Sequence, residues 1–286
     1  MVMKNLFLIS LVCLLLGCGA ATTKESSASA EIKGMYNGAF IGSDSFISDG
    51  LSSGFSLESE NEKGKTLLIK AVESNNLDTA AMLLSKGSSL EERNSTNGKT
   101  PIFYCESREM LELLLKKGAD VNSSDDTGET LLEYFLKNRP REYSDIILSH
   151  GAKVKIQNNN RDMNPAFDFV RDLDTDIIAQ MIKNDRSAFE SRDSKGNYPI
   201  FYATDENTIL KLLDLDYDLK ATNNDGENVL GEVYLRAASE SNIKIVDKII
   251  KKGVDPKYMS YGNDALSLAR NHGSNEMINY LKEILK

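Results

Sequence analysis

The tetrapeptide Pro-Ile-Phe-Tyr stands at residues 101–104 and again at residues 199–202, 98 residues later. Its surroundings repeat with it. Residues 98–129 (GKTPIFYCESREMLELLLKKGADVNSSDDTGE) align without a gap with residues 196–227 (GNYPIFYATDENTILKLLDLDYDLKATNNDGE), which pairs Gly98 with Gly196 and Gly128 with Gly226. These glycines belong to a longer series. Gly64, Gly98, Gly128, Gly196, Gly226 and Gly262, with Asp162 in the one gap, mark intervals of 34, 30, 34, 34, 30 and 36 residues. A unit of roughly 33 residues cannot bury its apolar face alone, so such a chain must stack its units into one continuous core. Gly64, Gly98 and Gly128 recur at Asp162, Gly196 and Gly226, always 98 residues on. Duplication of a three-unit block is the simplest account.

A repeat of this period resembles the ankyrin unit, and the resemblance implies a turn and two helices in each. The series glycines sit where a connection turns into the first helix, a place that favours positive φ. Pro101 and Pro199 open that helix, where a missing N–H costs nothing. Ala71, Cys105 and Ala203 share one small-residue position, where the two helices of a unit approach closely. Leu83-Leu84, Leu113-Leu114, Ile146-Ile147 and Leu212-Leu213 form the expected inner stripe of the second helix. Gly87, Gly118, Gly151 and Gly253 then close it in a left-handed cap. Asp185 and Asp216 stand at two of those caps. Asp enters the left-handed region more readily than most residues but less readily than Gly, so those two units are expected to be softer. From turn residue to cap the distances are 23, 20, 23, 23, 20 and 27 residues. The second and fifth units, the two that carry PIFY, are therefore three residues short in the first helix or the turn after it. The aromatics of PIFY are expected to pack where the short helix leaves room.

Two segments carry a family resemblance. GKTLLIKAVESNNLDTAAMLLSKGSSLEERN follows the ankyrin pattern from its opening glycine to its closing loop, and KTPIFYC with MLELLLKKGADVN resembles it more closely still. The resemblance covers residues 61–286. It implies an all-α ankyrin-repeat solenoid of about six to seven helix-turn-helix repeats with hairpin connections. The last unit, GNDALSLARNHGSNEMINYLKEILK, carries Glu276, Asn279, Lys282, Glu283 and Lys286 on its second helix, the polar outer face that a terminal repeat needs.

Ahead of the repeats the chain has a different character. MVMKNLFLISLVCLLLGC places one basic residue, Lys4, before an apolar run from Leu6 to Leu16. Eleven residues are too few to span a bilayer, which takes roughly 20, but they suit the core of a signal peptide. The run ends in Leu15-Leu16-Gly17-Cys18, which resembles the lipobox of bacterial lipoproteins. That resemblance implies cleavage before Cys18 and acylation (diacylglycerol, palmitate) on its thiol. Residue 19 is Gly, not Asp, which in a diderm host implies the outer membrane, facing the periplasm. The expected organisation is a signal peptide over 1–17, a lipidated tether over 18–59 and the repeat domain over 60–286. GLSSGFSLES, at 50–59, weakly echoes LLSKGSSLEE, at 83–92, and marks a candidate N-terminal capping half-repeat. With Cys13 in the signal and Cys18 acylated, Cys105 is left alone, so no disulfide within the chain is expected.

Chemistry is sparse. The net charge of −9 argues against a nucleic-acid partner, which calls for a basic stripe. The two histidines, His150 and His272, have no second ligand at metal spacing. NNDGENVLGE, at 223–232, imitates part of a calcium loop, but Ala221 would fall at its first ligand position and brings no oxygen. No catalytic motif accompanies the serines of the tether. The expectation is a non-enzyme with no cofactor and no metal, a monomeric body, anchored to a membrane through Cys18. Its partner would be another protein. The ankyrin resemblance makes hairpin tips the contact points: Lys63, Lys65, Asn97, Lys99, Glu129, Arg161, Lys195, Asn197 and Tyr261. An envelope interaction module is the leading reading, with immunity to a toxin or inhibition of a lytic enzyme as its sharper form. The alternative is an envelope scaffold or assembly factor, and a hydrolase stands third.

Overall fold

The structure is a computed structural model that describes residues 33–39, 44–156, 164–218 and 220–286. The expected signal segment, Cys18, Arg161 and Asp162 lie outside the described residues. The chain forms two compact units that meet in sequence between Ala119 and Asp120.

The first unit begins with helices α1 (33–39) and α2 (Asp44–Ser52). They precede the first full repeat, α3 (Leu67–Glu73) and α4 (Leu77–Ser85). Next comes a single 3-10 turn, Pro101–Tyr104, and then α5 (Arg108–Lys116). The second unit holds α6 (Leu131–Asn138) and α7 (Arg141–Ser149). It continues with α8 (Ala166–Asp172), α9 (Thr175–Asn184) and the short α10 (Ser187–Glu190). A second 3-10 turn, Pro199–Tyr202, precedes α11 (Glu206–Leu212). Then follow α12 (Val229–Ser239), α13 (Ile243–Lys252), strands β1 (Met259–Ser260) and β2 (Asn263–Asp264), α14 (Ala265–His272) and α15 (Asn275–Ile284). All described units are of the helix-turn-helix kind, and the class is the all-α one that the repeat implies.

Local chemistry starts most helices. Thr66, Asn76, Ser107, Thr130, Asp174, Asp205, Asn228, Asn242, Asp264 and Ser274 each accept the N–H of the residue three positions on. Each such cap satisfies one of the four free donors of a helix start and contributes about 1 kcal/mol. The missing residues of the PIFY units come out of the first helix, which is reduced to one 3-10 turn with proline at its start. The longer sixth unit spends its extra residues on α12, eleven residues against eight in α6.

The inner stripe is narrower than the paired leucines suggest. Leu83, Leu114, Ile147 and Leu212 are fully buried, whereas Leu84, Leu113 and Ile146 are half-buried. Leu114 and Leu212 are the true equivalents, 98 residues apart. Leu213 is buried as well. Ala71, Cys105 and Ala203 are completely buried at the small-residue position.

Gly87, Gly118, Gly151 and Gly253 do adopt positive φ after their helices, between 89° and 107°. The two aspartates do not imitate them, which corrects the expectation of left-handed Asp caps. Asp185 is extended, with φ −162°, and its Oδ1 accepts the N–H of Ser187 at 3.0 Å. The chain can leave α9 extended because it runs directly into α10. Asp216 is not left-handed either. There the end of α11 is closed from the next repeat: Lys248 Nζ donates to the carbonyl of Leu210 at 2.7 Å and to Asp214 at 2.6 Å, and Lys252 Nζ donates to the carbonyl of Leu215 at 2.9 Å. Lysine ammonium groups thus take the carbonyls of Leu210 and Leu215, while those of Lys211 and Leu212 accept the N–H groups of Asp214 and Leu215.

Candidate protein interface at the hairpin tips

The turn glycines Gly64, Gly98, Gly128, Gly196, Gly226 and Gly262 all have positive φ, between 67° and 83°. Ahead of five of them stands an Asn or Asp whose side chain organises the tip. Asn61 Oδ1 accepts the N–H groups of Lys63 (2.9 Å) and Lys65 (3.1 Å). Asp125 does so for Thr127 and Glu129, Asp193 for Lys195 and Asn197, and Asn223 for Asp225 and Glu227. Asn94 accepts from Thr96 at 2.8 Å. An Asx side chain here mimics a backbone turn and fixes the tip. Sequence reasoning centred on glycine passed over these residues, although Asn or Asp three or four places before Gly was there to be read.

The tyrosines of PIFY belong to the same scaffold. Tyr104 Oη receives hydrogen bonds from Asn94 Nδ2 (2.8 Å) and Asn97 Nδ2 (3.1 Å). Tyr202 Oη donates to Asp193 Oδ2 at 2.6 Å and receives one from Asn197 Nδ2 at 3.2 Å. Where the first helix is a single turn, its last tyrosine braces the hairpin just before it. Phe103 is buried in the core, while Phe201 is half-buried against Tyr202. The repeated tetrapeptide is therefore a packing and bracing element.

That scaffold sorts the expected tip residues. Lys63 and Lys195 are exposed. Lys65 folds back: it pairs with Glu73 and lies 5.2 Å from the centre of the Tyr104 ring. Burial raises the pKa of Glu73, but the hydrogen bonds from Lys65 and Lys70 outweigh it and hold the carboxyl below its ordinary range. Lys99 is half-buried over the Phe103 ring, 5.6 Å from its centre. Asn97 is half-buried on Tyr104, and Glu129 pairs with Lys137 at 2.9 Å. Asn197 is buried, with 3% exposure, and receives a hydrogen bond from Asn223 Nδ2. Its side chain is spent on the hairpin scaffold rather than presented to solvent. Arg161 lies outside the described residues. Tyr261 is 81% exposed.

The decoys find ordinary roles. His150 Nδ1 lies 2.9 Å from the carbonyl oxygen of Ile146 at the end of α7. His272 is exposed in the last turn of α14. Asn223, the heart of the calcium-like run, spends Oδ1 on two backbone N–H groups and Nδ2 on Asn197 and Glu227.

Comparison with known proteins agrees with this architecture. A family model described as "Ankyrin repeats (3 copies)" matches residues 39–125 and again 71–158. An ankyrin-repeat protein of Fowlpox virus is 34% identical over 100 residues, which is 33% of this chain and 29% of the viral protein. A second one from the same virus is 31% identical over 104 residues, 36% of this chain and 25% of the relative. Rabankyrin-5 of Mus musculus is 26% identical over 164 residues, covering 52% of this chain but 14% of its own length. The chain thus spans less than a third of the length of these relatives. Over residues 39–158 the chain matches the ankyrin-repeat model, and the helix-turn-helix units that follow continue the same all-α architecture.

Proposed function

We propose that this chain is a lipid-anchored interaction module of the bacterial envelope that binds another protein and turns over nothing, and that its sharper role is to hold a toxin or lytic enzyme inactive where that enzyme acts. The observation that carries the anchor is Leu15-Leu16-Gly17-Cys18 directly after an apolar core of signal-peptide length. Acyl chains suit that role, since each buried methylene contributes about 0.8 kcal/mol and a single chain holds only reversibly. Each compact unit offers a partner an exposed lysine on an Asx-braced tip, Lys63 in the first and Lys195 in the second.

Two experiments test the two halves. Cys18→Ser in the full chain should abolish lipid labelling and release the protein from membranes; unchanged retention without detergent sinks the anchor. Lys63→Glu with Lys195→Glu should weaken capture of the partner made in the producing cell. Glu112→Ala with Lys116→Ala, on the far face of α5, should do little. If the far-face pair abolishes capture and the tip pair does not, the hairpin face is the wrong one. A purified chain that hydrolyses lipid, peptidoglycan or peptide, and loses this through one point substitution, ends the non-enzyme reading.

A further inference from the structure

The last hairpin departs from the others in three ways at once. Three residues before Gly262, where four of the hairpins keep an Asn or Asp, stands Met259. No Asn or Asp there accepts the tip's N–H groups; instead Asn263 Nδ2, on the far side of the turn, donates to the Tyr261 carbonyl at 3.4 Å. Second, β1 and β2 pair Met259 with Asp264 and Ser260 with Asn263, which leaves Tyr261-Gly262 as a two-residue turn. Both turn residues have positive φ, 47° and 76°, as the mirror-image turns favoured in tight hairpins require. Lys63, Asn97, Thr127, Lys195 and Asp225, the residues before the other described turn glycines, have no such φ. Third, the side chains face water: Tyr261 is 81% exposed and Met259 58%.

These departures cost stability and recover little of it. A tyrosine in the left-handed region is disfavoured by roughly 1–2 kcal/mol, and this site would be better served by Asn. Burial does not offset that, because the ring is in solvent. The Tyr261 hydroxyl donates to the Glu227 carboxylate of the neighbouring hairpin, and that hydrogen bond is the first cause holding Glu227 below its ordinary range. That solvent-exposed hydrogen bond is the return visible within the fold, and a residue that breaks a local rule for so small a gain marks a site used for something else.

The surroundings define what would use it. The carboxylates of Glu227, Asp225 and Glu232 all act on the Tyr261 hydroxyl. Lys257, exposed two residues before Met259, is the nearest cation along the chain. The chain as a whole carries −9. An exposed tyrosine ring beside carboxylates receives a guanidinium or ammonium group by ring attraction and charge together. Met259, flexible and polarizable, accommodates an apolar neighbour of that cation. Tyrosine is also among the residues that dominate protein interfaces.

Resting on the reading of this chain as a protein-binding module, we infer that the Met259–Asp264 hairpin, with Asp225 and Glu227 beside it, is a docking tip for a cationic segment of another protein that carries an apolar residue next to its Lys or Arg. The test uses the full chain and displayed random peptides of about a dozen residues. Selection should enrich net-cationic sequences with an adjacent apolar residue. Tyr261→Asn should reduce their affinity at least about tenfold while the thermal midpoint holds or rises, because Asn fits the turn. Glu227→Gln should weaken binding and flatten its dependence on salt. Enrichment of neutral or acidic peptides, or none at all, overturns the inference. So does unchanged affinity in Tyr261→Asn, or a fallen thermal midpoint with affinity intact, which would make the tyrosine structural. Partner capture that survives Tyr261→Asn but is lost on reversing Lys63 and Lys195 leaves the interaction module standing and removes this tip from it.

Discussion

At the residue scale, close packing decides more than composition does. Leu114 and Leu212 are both fully buried in equivalent second helices. Truncating either to Ala should cost roughly 2–5 kcal/mol, the lost transfer energy plus the cavity left behind, measured by urea unfolding. Gly231 is a less obvious case, since Gly to Ala inside a helix normally gains about 1 kcal/mol. Here a Cβ would stand 2.4 Å from Cε1 of Tyr258. That ring cannot swing away freely: its hydroxyl donates to Glu232 at 2.9 Å and accepts the Asn228 N–H at 3.2 Å. Gly231→Ala should therefore destabilise, with overpacking of about 1–3 kcal/mol exceeding the helical gain. In a Tyr258→Ala background the same change should become neutral or stabilising; if the two effects simply add, the clash is not the cause. Asp205 tests the electrostatics of a cap. It accepts the Thr208 N–H and the Thr175 hydroxyl, each at 2.8 Å. The Thr208 hydrogen bond first, then that of Thr175, hold its carboxyl below the ordinary range. A lowered folded-state pKa gives stabilisation that is present above the unfolded value, about 3.9 for Asp, and lost as pH falls through the folded one. Asp205→Asn should accordingly destabilise most near neutral pH, and the difference from wild type should shrink below about pH 4. A pH-independent difference would mean that the charge contributes nothing beyond the acceptor.

At the element scale, the parts of the fold legible in the sequence were those set by backbone conformation. The turn glycines fall in the positive-φ region as their spacing demands, and the three-residue deficit of the PIFY units appears as a helix cut to one turn. What the sequence concealed depends on neighbours distant in the chain. Asp185 and Asp216 read as weak left-handed caps because only their own position was visible. One is extended into α10, and near the other the end of α11 is served by lysines some 37 or 38 residues further on. The tip lysines mislead for the same reason: Lys65 and Lys63 look alike in sequence, but only Lys65 has Glu73 and the Tyr104 ring within reach. The expectation that the Asp216 unit is softer than its twin changes accordingly. Amides at the end of α11 should be as well protected from hydrogen exchange as those before Gly118 for as long as Lys248 and Lys252 are present. Replacing both with Met keeps the apolar stems and removes the donors. Protection at the end of α11 should then fall, and protection in α5 should not. Equal protection before and after the double substitution would show that the lysines are bystanders.

At the scale of the whole molecule, the 98-residue repeat places equivalent residues in two compact units, Leu114 in the first and Leu212 in the second. In stacked repeats stability is close to a sum of repeat terms and nearest-neighbour interfaces, so damage should stay near its origin. A single globular core behaves otherwise, since any core truncation lowers protection everywhere by the same amount. The pair Leu114→Ala and Leu212→Ala separates these cases with the chemistry of the substitution held constant. In Leu114→Ala, exchange should accelerate from α3 to α5 while α12 to α15 keep their protection. In Leu212→Ala it should accelerate in α9 to α13 while α3 and α4 do not change. Each full chain serves as the control for the other, and the size of the local loss should match the roughly 2–5 kcal/mol expected for the cavity. Uniform acceleration in both variants would mean that the two units unfold as one, and that the repeats inherited from duplication have lost their independence.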